Sequence, residues 1–256
     1  MRRVIRFAST GCDLVGTLDE ADGRTGVLIV SGGSEPRMGA HRGMAMLAAR
    51  LAADGVPVFR FDRRGVGDSA GEDAGFEGSL PDIGAACATF RREAPGLRHV
   101  VGFGNCDAAS ALALGGRAGG VDAVLLANPW LREEADALPP NAAIRARYAQ
   151  RLRDPAEWRR LLTGGVDLGK LAGGLAKLGR RTAPDPLADR VLAGIDAWGD
   201  AARIVLAEGD ATAIAFAEAA RDRDYAIERV ATASHSFVGH ADTLHRLLIK
   251  AIRRLP

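Results

Sequence analysis

The sequence is poor in cysteine, in long apolar runs and in net charge, and each shortage removes a class of protein. Its three cysteines, Cys12, Cys87 and Cys106, are too few and odd in number for a secreted disulfide framework, and they lack zinc-ligand spacing. A reducing compartment is expected. No stretch reaches the ~20 apolar residues that span a bilayer, because Ala/Gly-rich segments are broken by arginine or aspartate. Residues Met1 to Phe7 alternate charged and apolar and lack the apolar run of a signal peptide. They read as an edge strand, and a cytoplasmic location is expected. A formal charge of +2, with basic and acidic residues interspersed, gives no field that would gather nucleic acid or an anionic membrane. Repeats, low-complexity linkers, metal-ligand clusters and cofactor fingerprints are also missing, so neither metal nor cofactor is expected.

What is present is an ordinary folded composition: 256 residues, 47% apolar and 26% charged, enough for a single domain over 1–256. Short runs such as Val27–Val30, Val56–Phe61, His99–Phe103, Ala123–Leu126 and Arg203–Leu206 suit strands buried on both faces. Helical patterns lie between them: Arg42 to Asp54 with Met46, Leu47 and Leu51 on one side, and Leu80 to Glu93 with Ile83, Cys87 and Phe90. Tyr225 to Val230 gives a last alternating strand, and Leu244, Leu247, Leu248 and Ala251 mark an amphipathic terminal helix. This alternation predicts an α/β fold, a mostly parallel central sheet flanked by helices, with ligands gathering at the carboxyl ends of its strands. From Leu131 to Trp198 the texture changes to arginine-rich helical segments broken by glycine and proline. A helical cap over 131–200, inserted after the sixth strand, is expected.

The most informative segment runs from Val100 to Ala109, where a strand passes through Gly104-Asn105-Cys106-Asp107-Ala108 into an Ala/Leu-rich helix. This is a nucleophile-elbow pattern with cysteine in the nucleophile's place. The small residues two before and two after Cys106 let strand and helix approach, which pushes the thiol into the open. The helix start favours an anionic sulfur, and the amide of Asp107 is placed to receive an oxyanion. A buried structural cysteine in a Gly-rich turn is the bland alternative.

Chain order supplies two partners. Asp210 ends the run Ile204 to Asp210, where a buried strand breaks at Gly209, and His235 follows the last strand by a short loop. Glu208 and Asp200 compete for the acid position, and His240 for the base. In this reading His235 deprotonates Cys106 and later protonates the leaving group, while Asp210 orients the imidazole and stabilises its charged form. A second oxyanion donor is expected from the glycine turn Ser31-Gly32-Gly33-Ser34, from Gly33 or Ser34. The loop Asp62 to Ser69 lacks the glycine spacing and lysine of a phosphate loop, so its arginines and aspartates are expected to pin a turn beside the site.

Asp62, Arg64, Gly65, Gly67 and Ser69, with the elbow and the Asp210 and His235 positions, resemble the α/β-hydrolase superfamily over nearly the whole chain. More narrowly, Gly32-Gly33 with Arg37, Gly39, His41 and Arg42, then Gly104 to Ser110 and His235-Ser236-Phe237, resemble exosortase A system-associated hydrolase type 1. That resemblance implies the fold, the site and a link with exopolysaccharide and protein-sorting systems, and no particular substrate.

Three activities follow as expectations. The first is hydrolysis of a small-molecule ester or thioester through Cys106, His235, Asp210 and a covalent acyl-enzyme. The second is acyl transfer from the same thioester, and the third is a non-catalytic binding protein on a hydrolase fold. Cap arginines, including Arg145, Arg147, Arg151, Arg153, Arg159 and Arg160, are a solvated face or a site for an anionic group. Tyr148, Trp158 and Trp198 line an acyl pocket or pack the cap. The sequence does not set an oligomeric state.

Overall fold

The continuous apolar runs become the middle strands of one sheet, because a strand covered on both faces has no use for alternation. The computed structural model of the chain describes residues 1–132 and 186–255. Eight strands are present among them: β1 Arg2–Ser9, β2 Cys12–Asp19, β3 Thr25–Val30, β4 Val58–Phe61, β5 His99–Asn105, β6 Ala123–Ala127, β7 Ala202–Ala207 and β8 Ile227–Val230. They lie in the order β1-β2-β4-β3-β5-β6-β7-β8. β2 pairs antiparallel with both β1 and β4, and every later pairing is parallel. The mostly parallel α/β fold is therefore as expected.

The helices are α1 Gly43–Ala53, α2 Gly75–Gly78, α3 Leu80–Glu93, α4 Asp107–Gly115, α5 Pro186–Trp198, α6 Ala211–Ala219 and α7 Ala241–Ile252. Successive side chains of β3 point to opposite faces and so feed two cores. Val27 and Ile29 join Leu47 and Leu51 of α1 and Leu244 and Leu248 of α7. Leu28 and Val30 join Phe59, Phe61, Ile83 and Phe90, together with Leu112 of α4 and Val191 of α5. Each such side chain taken fully out of water contributes about 1.5–3 kcal/mol before entropy is counted. The chain steps from β3 to β4 on one side and to β5 on the other, which opens a crevice at the carboxyl ends of β3 and β5.

Three readings are revised. Met46 is exposed while Leu47 and Leu51 are buried, because i and i+4 share a helix face and Met46 lies about 100° away from Leu47. The last alternating strand shortens to Ile227–Val230. The end of the segment read as cap is part of the body: α5 buries Leu187, Val191, Leu192 and Ile195 in the core shared with α4. Trp198 closes that contact, its Nε1 donating to the carbonyl of Ala113 at 3.1 Å and the Arg117 guanidinium lying 4.6 Å over its ring. It packs helix on helix and is not among the described residues that line the cavity beside Cys106. The cap arginines, Tyr148 and Trp158 fall in 133–185, outside the described residues.

Candidate active site

At the end of β5 the chain turns sharply into α4, and Cys106 takes the turn at φ 61°, ψ −126°, a conformation that non-glycine residues rarely adopt. The strain is held from three sides. The Cys106 amide donates to Ala127 at 2.9 Å, and its carbonyl accepts from Ala109 at 3.1 Å and from Trp130 at 3.2 Å. Gly104 makes the turn geometrically feasible: a Cβ there would sit 2.7 Å from the carbonyl carbon of Ala108. The thiol is left half-buried at the amino end of α4.

His235 reaches the same place from the loop after β8. Its Nδ1 lies 3.0 Å from Asp210 Oδ1, and it lines the same small cavity as Cys106. A carboxylate only accepts, so Nδ1 carries the proton shared with Asp210, which leaves Nε2 for the sulfur. Asp210 follows β7 and caps α6, its Oδ2 accepting from the Ala213 amide at 3.0 Å. Burial pushes the Asp210 carboxyl up, but hydrogen bonds from His235 and from the α6 amides outweigh it and hold the group below the usual range. The hydrogen bond to Asp210, with the electrostatic influence of Cys106 nearby, raises the His235 imidazole to about 10 against a smaller opposing effect of burial.

The rival groups lie elsewhere. Glu208 is exposed, Asp200 sits in a short 3-10 turn before β7, and His240 precedes α7. His245 pairs with Asp54, while Cys87 is buried in α3 and desolvation pushes its thiol up. Cys12 starts β2 against the core.

The glycine turn after β3 departs from expectation. The amide of Gly33 donates to Asp107 Oδ1 at 2.7 Å, so it is committed to a carboxylate. Arg63, nearly fully buried, holds the same carboxylate at 3.3 Å and also donates to the Gly33 carbonyl. Asp107 thus enters through its side chain as well as its backbone. Among the described residues, the amides of Asp107 and Ser34 make no hydrogen bond. The loop after β4 is a built structural turn: Asp62, wholly buried, accepts from the Arg37 amide at 2.5 Å and the Asp68 amide at 3.0 Å. Gly67 is required there, since a Cβ would lie 2.5 Å from the Asp62 carboxylate. Arg64 pairs with buried Asp82 at 2.6 Å.

A cavity of about 170 Å³ opens beside the thiol, walled by Val30, Phe103, Ala40 and Met44 and reaching Cys106 and His235. A larger cleft of about 790 Å³ runs along α7 and shares no residue with it. Among the described residues, no group of three or more His, Cys, Asp or Glu is set to hold a metal ion, and no helix is long and apolar enough to cross a membrane.

A family model described as serine aminopeptidase, S33, matches residues 24–168, which include the glycine turn and the elbow. The chain belongs to that family. Asp210 and His235 lie beyond the matched span, and at the elbow this S33 family member carries a cysteine. Its fold is that of the α/β hydrolases. Esterase Pf2001 of Pyrococcus furiosus aligns with a TM-score of 0.65 at 14% identity, covering 99% of this chain and 92% of that one. The α/β hydrolase GrgF of Penicillium sp. sh18 aligns at 0.65 and 16% identity, over 99% and 98%. XC6422 of Xanthomonas campestris, an α/β serine hydrolase without a lid, aligns at 0.58 and 16% identity, over 99% and 94%. A search of curated proteins finds no match.

Asn105 and Asn128 also enter the site. Both donate to the carbonyl of His235 at 3.1 Å; Asn105 stands inside the elbow motif, while nothing in the sequence surroundings of Asn128 marks it.

Proposed function

We propose that this chain cleaves a small-molecule ester or thioester with Cys106 as nucleophile, His235 as its proton partner and Asp210 as the carboxylate that holds His235. The observation carrying this is the convergence of the three residues from the loops after β5, β7 and β8, with the imidazole bonded to Asp210 and lining one cavity with Cys106. A thiolate is the reactive form of cysteine, and an imidazolium beside it is poised to protonate a leaving alcohol or thiol. As the carbonyl oxygen becomes an oxyanion, the Asp107 amide receives it at the start of α4, where the helix dipole adds to the effect. Ser34 is the second donor of choice, because the Gly33 amide is held by Asp107. Water, deprotonated by His235 once it is neutral, then releases the acid from the acyl-enzyme.

The cavity supports a short acyl group: about 170 Å³ is room for about six water-sized groups at ~30 Å³ each, and its walls are mostly apolar. A cytoplasmic setting in an exosortase-linked system belongs to the same proposal. Hydrolysis of acyl thioesters and p-nitrophenyl esters from acetyl to decanoyl tests it. The expectation is kcat/KM highest for the shortest acyl groups and lost in Cys106→Ala. Full activity of Cys106→Ala on the same substrates refutes the assignment. Added amine or alcohol acceptors separate hydrolysis from acyl transfer, and no turnover with any acyl donor leaves the non-catalytic reading.

A further inference from the structure

Asn128 directly follows β6 and is wholly buried, with φ +41°, in the left-handed region that asparagine tolerates better than most residues. Its backbone amide donates to Val205 on β7 at 3.0 Å. Its side chain makes three further bonds. Oδ1 accepts from the Ala207 amide at 2.9 Å, while Nδ2 donates to Asn105 Oδ1 and to the His235 carbonyl, each at 3.1 Å. The orientation of the amide is settled by chemistry, because only an oxygen can accept from the Ala207 N–H. Asn105 closes the triangle by donating its own Nδ2 to the His235 carbonyl.

Each contact lands beside a member of the site. Asn105 is the residue before Cys106, Ala207 closes β7 and accepts the Asp210 amide at 2.9 Å, and His235 is bonded through its own carbonyl. β8 ends at Val230, and beyond it the loop is tied to the end of β7 by the Gly209 amide on the Thr232 carbonyl at 2.9 Å, short of His235 itself. Two side-chain amides therefore set the carbonyl of His235 relative to the elbow and the acid strand. We propose that Asn128 is a positioning residue that locks nucleophile, acid and base into one frame, with Asn105 as its accessory. Asparagine suits the task because it both accepts and donates: aspartate loses both donors, and serine is too short to reach three partners.

The inference deepens the proposed function and rests on it, so the test needs a readout independent of turnover. In Asn128→Asp, which keeps an acceptor for Ala207, and in Asn105→Ala, which removes one donor to His235, the five histidines are followed by proton–carbon NMR across pH. Thermal unfolding checks that each variant is folded. If the frame positions His235, its titration midpoint drops from about 10 toward that of a free imidazole in Asn105→Ala, and drops in Asn128→Asp as well although the added carboxylate on its own would raise it. With an acyl ester, kcat then falls about 10- to 100-fold at little change in KM, the scale expected for a misplacement of about 1 Å. A folded variant of either kind with the wild-type His235 titration overturns the positioning role. If Asn128→Asp does not fold, Asn105→Ala decides by the same titration. Should Cys106 fail to acylate in the wild type, the proposed reaction falls, while the titration still decides whether Asn128 orders His235.

Discussion

Replacing Asp210 by asparagine separates what the carboxylate does to His235 from what the fold needs of residue 210. The D210N side chain keeps an oxygen for the Ala213 amide, so the cap of α6 survives and the helix loses little stability. What it removes is the charge and the acceptor 3.0 Å from Nδ1, the first cause of the raised imidazole. His235 should then titrate well below about 10, moving toward the ~6.5 of an unperturbed imidazole. At pH 7.5 the consequence is large. A ring with a midpoint near 6.5 is only about one-tenth protonated, whereas one near 10 is almost wholly so. Loss of the imidazolium alone thus cuts acylation about tenfold at pH 7.5, and misorientation of the ring adds to that. The assay is the second-order rate of acylation of Cys106 by an activated ester between pH 5 and 10.5. Wild type should decline only as pH approaches 10, while Asp210→Asn should decline through about 7 and regain much of its rate at pH 5.5. An unchanged alkaline limb in Asp210→Asn refutes the reasoning, since Asp210 would then not be what holds the proton on His235.

Further outcomes follow from the same geometry. The His235 imidazole is raised, so its stabilising contribution is full below about 6.5 and is lost as pH rises through about 10. Asp210 is held low, so its contribution is present above about 4 and lost as pH falls below that. The stability gap between wild type and His235→Ala, from urea titrations, should be widest between about pH 4 and 6.5 and narrow toward pH 10. Phe90 is fully buried and stacks on Phe59 with centroids 5.8 Å apart, so Phe90→Ala should cost about 3–5 kcal/mol in the same assay. Asp107→Ala frees the Gly33 amide and removes the acid partner of buried Arg63; a stability loss of about 1–3 kcal/mol is expected. A loss below 0.5 kcal/mol would mean that the bridge does not tie the glycine turn to the elbow.

The sheet is legible because strands buried on both faces must be apolar throughout, and β3, β5, β6 and β7 read directly as such runs. The meeting of Cys106, Asp210 and His235 is legible for a different reason: in a parallel sheet every strand delivers its following loop to the same edge, so chain order predicts proximity. Asn128 is illegible by either route. Its bonds run to residues 23, 79 and 107 positions away, and no periodicity encodes a single polar side chain at a strand end. The capture of the Gly33 amide by Asp107 is hidden likewise, since sequence gives the backbone station of Asp107 but not the direction of its carboxylate. The segment whose composition suggests a cap runs on into α5, whose exposed face carries Asp189, Arg190 and Asp196 although its buried face belongs to the core. Composition alone does not separate the two.

The central claim is that Cys106 is the nucleophile. Its most direct test is intact mass followed by peptide mapping after brief exposure to a short-chain activated ester at pH 7. The account predicts one acyl group on the peptide containing Cys106, turning over in wild type, forming more slowly in His235→Ala and absent in Cys106→Ala. An acyl group on another residue, or none on Cys106 while the ester is hydrolysed, contradicts it.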